Sequence, residues 1–154
     1  MGVAEQGQVE GYGSFSTAVV DGCQLGQGKW YYEVAVLTAG LVQIGWADHS
    51  FQLSCDSTDG VGDDEHSYAY DGSRQMKWNG KSSVYGVYWN AGDVVGCRLD
   101  LTTAYADITF YLNGDTLGNA FMVPRPADGG SFFLPVVSME QDEKLLWNIG
   151  QVHS

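Results

Sequence analysis

Apolar residues alternate with other residues in short blocks along much of this chain, and this period of two constrains the fold more than any other feature. In segment 29–38, every second position from the second residue on carries a large apolar side chain: Trp30, Tyr32, Val34 and Val36. Successive side chains of a β-strand point to opposite faces, so the segment predicts a strand with a buried face. The 3.6-residue period of an amphipathic helix is nearly absent.

The same alternation predicts strands at 41–47, 94–101 and 108–112, and weaker blocks predict others at 14–20, 67–71, 117–121, 131–139 and 144–149. Asn113 and Gly114 supply the two positive φ angles of a tight type I′ hairpin. Segments 48–66, 79–91 and 122–130 are the longest predicted loops. About ten short strands without intervening helices predict an all-β fold of two antiparallel sheets, a β-sandwich.

Composition narrows the partner classes. The chain of 154 residues fits one domain with its own core, and its formal charge is -12. This charge repels phosphate backbones and anionic lipid surfaces, so we expect no nucleic-acid partner and no membrane association. The acidity either keeps the domain soluble or matches a partner with basic or hydrogen-bond-donating groups.

The number and spacing of the cysteines indicate whether the protein works in an oxidising or a reducing cellular compartment. The three cysteines contain no Cys-x-x-Cys pair, and the sequence shows no charged start followed by an apolar block and a small-residue cleavage site. We therefore expect reduced thiols and a cytoplasmic or nuclear protein.

Segment 60–78 is the richest in chemically active side chains, since Asp63, Asp64 and Glu65 lie next to His66. The segment does not have the ligand pattern of a calcium-binding EF-hand loop. A loop that starts at Asp56 would have Thr58 and Gly60 at its third and fifth positions, where an EF-hand has oxygen-bearing ligands. We therefore expect no metal and no cofactor, and interpret the carboxylates as a turn-forming loop or a charged rim for a partner.

Catalytic patterns are also missing from the sequence. The spacing of His49, Cys55 and His66 matches no structural zinc site. No strand carries the alternate carboxylates of a sandwich glycosidase, and no Gly-x-Ser-x-Gly elbow occurs. The sequence therefore predicts that the domain is not an enzyme.

Several blocks together resemble SPRY domains. The most specific are Gly28-Lys-Trp-Tyr-Tyr-Glu-Val34, Gln43-Ile-Gly-Trp-Ala47, Gly60-Val-Gly-Asp-Asp-Glu65, Gly92-Asp-Val-Val-Gly-Cys97 and Phe133-Leu-Pro-Val-Val-Ser138. The residue pattern of these blocks is most similar to that of SPRY domains in RING-finger ubiquitin ligases, and SPRY domains of ryanodine receptors are also similar. The resemblance covers nearly the whole chain.

The resemblance implies a bent, concanavalin-like jelly roll without catalytic activity that holds a peptide or protein through loops at one end. It divides the chain into an N-terminal extension (1–13), the SPRY domain (14–150) and the start of a linker or an excised end (151–154). One departure bears on binding: family members that grip an Asn-rich peptide carry a Trp-Gly pair where this chain reads Met139-Glu-Gln-Asp-Glu143. That peptide preference is therefore not expected here.

The candidate partner-binding residues lie in or beside the predicted loops: Asp48, His49, Phe51, Asp64, Tyr70, Arg74, Trp78, Tyr85, Glu140 and Gln141. Tyr and Trp are favoured at interface hot spots because they join apolar area to a hydrogen-bonding tip. Whether Tyr70 and Trp78 face the core or the partner stays open at this point. Arg74 either binds the partner or closes an ion pair with Asp71.

These observations predict a non-catalytic protein-interaction module, monomeric and part of a larger chain such as a ubiquitin ligase, in which it recognises the substrate or partner. A carbohydrate-binding, lectin-like domain and an architectural domain are the alternatives, since the fold alone does not separate them.

Overall fold

A computed structural model describes residues 7–13, 15–53, 60–126 and 129–149. The expectations for Cys55, Asp56 and segment 151–154 lie outside these residues. The described part folds into these strands: β1 (Gly7–Glu10), β2 (Ser16–Val19), β3 (Lys29–Val36), β4 (Val42–Asp48), β5 (Ser67–Asp71), β6 (Met76–Trp78), β7 (Ser82–Val84), β8 (Val94–Asp100), β9 (Tyr105–Leu112), β10 (Asp115–Pro124), β11 (Phe133–Met139) and β12 (Lys144–Asn148).

The strands form two antiparallel six-stranded sheets, which confirms the predicted β-sandwich. Sheet I has the order β1-β12-β3-β8-β9-β10, and sheet II has the order β2-β11-β4-β5-β6-β7. Within the described ranges, no helix is long and apolar enough to span a membrane.

The main core lies between the facing sheets, where the alternating residues of β3 meet those of β4. Tyr32 of sheet I and Trp46 of sheet II are both buried, with ring centroids 5.0 Å apart in an edge-to-face arrangement. The Tyr32 hydroxyl donates to the Gly45 carbonyl at 2.5 Å, which satisfies its polar tip within the core. These contacts fix the two central strands against each other.

The outer face of sheet II carries a second, smaller apolar cluster. Ala47, Ala69 and Val136 project from neighbouring strands, and Val61 covers them from segment 60–66; all four are fully buried. Because one face packs on sheet I and the other is covered by this segment, all five residues of β5 are buried. Sheet II is thus enclosed on both sides at its centre, and the edge of this covering bounds the candidate site.

The strand predictions are right for most of the long strands and incomplete for the others. Strand β10, predicted at 117–121, extends to Pro124, into a segment that was expected to be a loop. Asn113 and Gly114 have φ of 51° and 89°, and the β9–β10 register closes the predicted hairpin. Strands β6 and β7 were not predicted, and β7 lies in a segment expected to be a loop. Within segment 1–13, which the sequence assigned to an extension, β1 pairs with β12 at the edge of sheet I.

Candidate functional site

Segment 60–66 lies flat on the outer face of sheet II because backbone N–H groups bond to hydroxyls of the sheet. Val61 N–H donates to Ser138 Oγ at 2.8 Å, and Gly62 N–H donates to Ser67 Oγ at 2.7 Å. Both hydroxyls belong to buried side chains. The segment is therefore attached to two different strands.

Glycine is required at position 62 for two independent reasons. The residue has a φ of 92°, in the left-handed region that side-chain-bearing residues rarely adopt. A Cβ at this position would also lie 2.6 Å from the Trp78 Cβ and 2.8 Å from the Ala69 Cβ. The close approach of segment 60–66 to β5 and β6 thus depends on this glycine.

The consecutive carboxylates of this segment shape its turn. Asp63 Oδ2 accepts a hydrogen bond from Gly60 N–H at 2.6 Å. Asp64 Oδ1 accepts bonds from His66 N–H at 3.0 Å and from Ser67 Oγ at 2.8 Å. Among the described residues, no group of three or more His, Cys, Asp or Glu side chains could hold a metal ion.

Arg74 forms the ion pair that the sequence offered as one of its two roles. Its Nε donates to Asp71 Oδ2 at 2.6 Å, and the Asp71 side chain is fully buried. Asp71 Oδ1 also accepts bonds from the Ser73 N–H and hydroxyl and, at 3.2 Å, from the Arg74 N–H. One buried carboxylate therefore fixes both the turn after β5 and the guanidinium of Arg74.

Two further contacts hold the Arg74 guanidinium. Its Cζ lies 4.8 Å from the centroid of the Trp78 ring, within the range of a cation–π interaction. The Gln43 amide, oriented so that both its polar atoms are satisfied, accepts from Arg74 Nη2 at 3.1 Å and donates to the Val61 carbonyl at 2.9 Å. The Arg74 side chain nevertheless keeps 44% of its surface exposed.

A pocket of about 320 Å³ opens beside this guanidinium; we call it the Arg74 pocket. It is lined by Phe15, Leu41, Gln43, Asp63, Arg74, Trp78 and Glu140. Glu140 Oε1 accepts from the Leu41 N–H at 3.3 Å. The pocket thus combines apolar walls, one positive group and two carboxylates.

Three predicted residues, Arg74, Trp78 and Glu140, meet at the Arg74 pocket. Trp78 is half-buried, so it both packs on the second apolar cluster and lines the pocket. Gln141 follows Glu140 in the β11–β12 turn and is exposed, but it does not line the pocket. Asp64 serves the turn described above.

The residues predicted in the first loop lie away from the pocket lining. Asp48 Oδ1 accepts from Ser50 N–H at 2.8 Å, and its Oδ2 lies 3.2 Å from His66 Nδ1. The hydrogen bond to Asp48 is the main cause that raises the pKa of His66 above its usual value. His49 packs beside Phe132, and Phe51 packs on the second apolar cluster.

Tyr70 and Tyr85 belong to the main core. This places Tyr70 on the core side of the question that the sequence left open, and it corrects the expectation that Tyr85 contacts a partner. Tyr70 is fully buried and donates to the Val87 carbonyl at 2.5 Å; burial is the main cause that raises its pKa to about 12. Tyr85 is 8% exposed and donates to the Gly118 carbonyl at 2.6 Å. Both hydroxyls are therefore used inside the fold.

Four residues that line the pocket were not among the predicted site residues: Phe15, Leu41, Gln43 and Asp63. The alternation of β4 contained a signal for Gln43, because it lies between Val42 and Ile44 and so points to the opposite face. Phe15 and Leu41 have no comparable signal, because they reach the pocket from separate segments that only the sheet brings together.

Comparison with known proteins agrees with this architecture. The family model described as "SPRY domain" matches residues 29–152. The E3 ubiquitin-protein ligase RKP of Arabidopsis thaliana is 44% identical over 144 residues, which cover 92% of this chain and 11% of the ligase. The ATP-dependent RNA helicase DDX1 of Xenopus laevis is 30% identical over 125 residues, which cover 81% of this chain and 16% of the helicase.

The heterogeneous nuclear ribonucleoprotein U-like protein 2 of Mus musculus is 32% identical over 97 residues, which cover 63% of this chain and 12% of that protein. The chain thus spans only a small fraction of each of these relatives. SPRY domains are generally non-catalytic protein-interaction modules, although these relatives include larger enzymes. On the family model and the two sheets together, the chain belongs to the SPRY family.

Proposed function

We propose that this SPRY domain binds an extended segment of a partner protein at the Arg74 pocket. The observation that carries the proposal is the state of Arg74, whose guanidinium is held by Asp71, Gln43 and Trp78 and still exposes 44% of its side chain. An ordered guanidinium that remains accessible is a group that a partner can contact at low entropic cost.

Immobilisation makes Arg74 a favourable binding group. A free arginine side chain carries about 2 kcal/mol of rotamer entropy, part of which is lost when it binds a ligand. Here the fold has already ordered the guanidinium, so binding costs less. In the described part of the chain, Nη1 donates to no other group, and it can therefore donate to an acceptor on a partner.

The apolar walls supply the second component of binding. Trp78, Phe15 and Leu41 line the pocket next to the guanidinium. Interface hot spots combine aromatic or arginine side chains with neighbouring groups that exclude water. A partner side chain that enters the pocket would bury apolar surface against Trp78 while its backbone accepts a hydrogen bond from Arg74.

The proposed role is recognition without catalysis. The ligase relative matches this chain over 11% of its length, which suggests that the domain supplies partner recognition to a larger chain, such as a ubiquitin ligase in the cytoplasm or nucleus. The same pocket would serve that role in any parent protein, because all its lining residues come from this domain.

Selection from a displayed random-peptide library tests the proposal. Selected peptides should lose about 30-fold in affinity for Arg74→Ala, the loss expected for a hot-spot residue. Arg98→Ala is the matched control, because Arg98 also pairs with an aspartate, Asp100, at 3.1 Å but lies on sheet I. Equal loss in both variants, or no loss in Arg74→Ala, would contradict the proposal.

A glycan array distinguishes the carbohydrate-binding alternative from the proposed binding of a protein segment. We expect no specific glycan signal from the wild-type domain. Glycan binding that survives Arg74→Ala, together with no selected peptide, would favour a lectin-like function over the proposed one.

A further inference from the structure

We propose that the free edge of β7 binds an extended, acidic segment of a partner protein as an additional strand of sheet II. This edge is a different surface from the Arg74 pocket, so the inference goes beyond the proposed function and does not depend on it. Three features of the edge support it: its unpaired backbone groups, the exposed apolar side chains beside them and the local excess of positive charge.

Strand β7 leaves the backbone groups of alternate residues without a neighbouring strand. Within the described residues it pairs with β6 alone and ends the order of sheet II. Tyr85 N–H donates to the Gln75 carbonyl at 3.1 Å, so by the alternation of an antiparallel ladder Ser83 also faces β6. The N–H and carbonyl groups of Ser82 and Val84 then point away from the sheet. They offer two donors and two acceptors to a further strand.

The adjacent edge of sheet I is protected against strand addition, whereas the β7 edge is not. The register of β10 with β9 shifts at two places, and β10 ends at Pro124. Its carbonyls at Gly118 and Ala120 accept bonds at 2.6 Å from the Tyr85 hydroxyl and from Lys77 Nζ. Irregular register, proline and covering groups are the usual protections of an edge strand. Strand β7 is regular, all its residues are exposed, and no side chain of the described residues bonds to its backbone.

Apolar side chains beside this edge are held toward solvent by a fixed backbone. Val84 and Tyr88 expose 73% and 63% of their surfaces, and Val87 is also exposed. The backbone cannot turn these side chains inward, because the Val87 carbonyl accepts from the Tyr70 hydroxyl and Trp89 is buried in the main core. Exposed apolar side chains that lie together mark interaction sites. An added strand with apolar side chains would bury Val84 and its neighbours.

The charge of this region is opposite to that of the chain, which is -12 overall. Segment 72–92 contains three of the seven basic residues and none of the 19 acidic ones. Arg74 is paired with Asp71, but Lys77 donates to a backbone carbonyl, and the exposed Lys81 has no ion pair among the described residues. Two lysines beside the edge therefore lack a carboxylate partner.

This charge distinguishes between the possible occupants of the edge. A second copy of β7 would bring Lys77 and Lys81 against the same lysines, and a basic segment would meet the same repulsion. Glu65 adjoins the turn between β6 and β7, but its Oε1 faces His66 Nε2 at 3.9 Å. An acidic segment is the complement, because opposite charges on neighbouring strands attract and like charges repel.

Six-residue peptides that differ in charge or in pairing capacity test the inference. The probes are Ac-Glu-Val-Glu-Ile-Glu-Val-NH2, an analogue with Lys in place of each Glu, and an analogue of the acidic peptide that is N-methylated at both central residues. Each is titrated into the isotope-labelled domain and followed by NMR. We expect the acidic peptide to bind about fivefold or more tighter than the Lys analogue. The N-methylated analogue keeps the side chains and loses the central donors, so it should bind about tenfold or more weakly.

The backbone signals carry a signature that only strand pairing produces. The N–H groups of Ser82 and Val84 should shift downfield and exchange more slowly with solvent when the acidic peptide binds. The N–H groups of Ser83 and Tyr85, which face β6, should change little. Non-specific contact with the apolar side chains would not follow this alternation.

Two substitutions with matched controls test the apolar and charged components. Val84→Glu should weaken the acidic peptide about fivefold or more, whereas Tyr105→Glu, the same change at an exposed position of sheet I, should not. Lys81→Gln should weaken it about threefold, and Lys29→Gln on β3 is the control. If Val84→Glu disrupts β7, the N-methylated peptide with the wild-type domain supplies the test.

The outcomes separate this inference from the proposed function. No shift with any peptide, equal binding of the N-methylated analogue, or tighter binding of the Lys analogue would overturn the assignment of the β7 edge. Shifts of Ser82 and Val84 that depend on protein concentration without peptide would show a second copy as the occupant and overturn it as well. The Arg74 pocket is tested independently, because the amides of Gly62 and Leu41 should not move, and Val84→Glu should not change the affinity of the library-selected peptides.

Discussion

The guanidinium of Arg74 lies over the ring of Trp78, with 4.8 Å between Cζ and the ring centroid. Arg74 follows β5 and Trp78 ends β6, so the contact spans the turn between two paired strands. The buried carboxylate of Asp71 holds Nε on one side of the guanidinium. The contacts that order the turn between β5 and β6 therefore also position Arg74 and Trp78 in the wall of the Arg74 pocket.

Asp71→Ala should lower the free energy of unfolding by about 3 kcal/mol, because it leaves the donors of Ser73 and Arg74 without their buried acceptor. Chemical denaturation measures the change. Glu10→Ala is the control: Glu10 pairs with Lys144 at 3.9 Å, both side chains are partly exposed, and the expected loss is below about 0.5 kcal/mol. Equal losses would show that the Asp71 carboxylate does not organise this turn.

Gly62→Ala should destabilise the domain more than Gly92→Ala. The two glycines have φ of 92° and 96°, so both substitutions carry similar backbone strain of about 1–2 kcal/mol. A Cβ at Gly62 would in addition meet Trp78 and Ala69, whereas no atom lies within 4 Å of one at Gly92. The extra loss at Gly62, about 1–3 kcal/mol in chemical denaturation, measures the crowding. A loss no larger than that of Gly92→Ala would contradict the close packing of segment 60–66.

Tyr70→Ala should cost about 3–5 kcal/mol of unfolding free energy, because it leaves a cavity in the main core. Tyr88→Ala, at a position that is 63% exposed, should cost less than about 0.5 kcal/mol. Tyr70→Phe should cost about 1 kcal/mol through the lost bond to the Val87 carbonyl and leave peptide affinity unchanged. A loss of peptide affinity in a folded Tyr70→Phe variant would show that the Tyr70 hydroxyl contributes to partner binding.

The pKa of His66 should lie above its usual value of about 6.5, and Asp48→Asn should lower it. Desolvation opposes the upward shift, and the charges of Asp64 and Glu65 add to it. Because the folded pKa is the higher one, the contribution of His66 to stability is complete below about pH 6.5 and is lost as the pH rises through the folded pKa. NMR titration of the imidazole in the wild type and in Asp48→Asn measures the pKa of His66. An unchanged pKa in Asp48→Asn would exclude the hydrogen bond to Asp48 as the cause of the shift.

The sequence predicted β3, β4 and β8 because the alternation of apolar residues in these strands is continuous. Strand β3 was predicted to within two residues of its end, and Asn113-Gly114 marked the β9–β10 hairpin. Strands β6 and β7 have three residues each, too few for a period of two to stand out, and their existence depends on pairing with β5.

Burial in β5 could not be assigned from the sequence for a related reason. Tyr68 and Tyr70 point to the main core, while Ala69 points to the second apolar cluster, so both faces are apolar. A strand buried on both faces gives no sign of which side lies inward. Tyr70 lies in the core and Trp78 lies at the pocket. This difference follows from the pairing of Ala69 with Trp78, because paired residues lie on the same face of the sheet.

The pocket could be predicted only in part. Arg74 and Trp78 are close in sequence, and Glu140 lies in a turn that the family resemblance singled out. Phe15 and Leu41 join them from segments that are distant along the chain and adjacent only through β2, β11 and β4. Asp63 joins them because segment 60–66 folds back over the outer face of sheet II. Contacts of this kind depend on sheet order, which the alternation of side chains does not specify.

Photo-crosslinking of a selected peptide is the most direct measurement of whether the partner segment binds at the Arg74 pocket. Phe15 at the Arg74 pocket and Tyr105, which is 44% exposed on sheet I, would each be replaced by p-benzoylphenylalanine. We expect the library-selected peptide to crosslink from position 15 and not from position 105, and we expect Arg74→Ala to abolish the crosslink. Crosslinking from position 105 instead, or equal yield from both positions, would contradict the assignment of the Arg74 pocket as the partner-binding site.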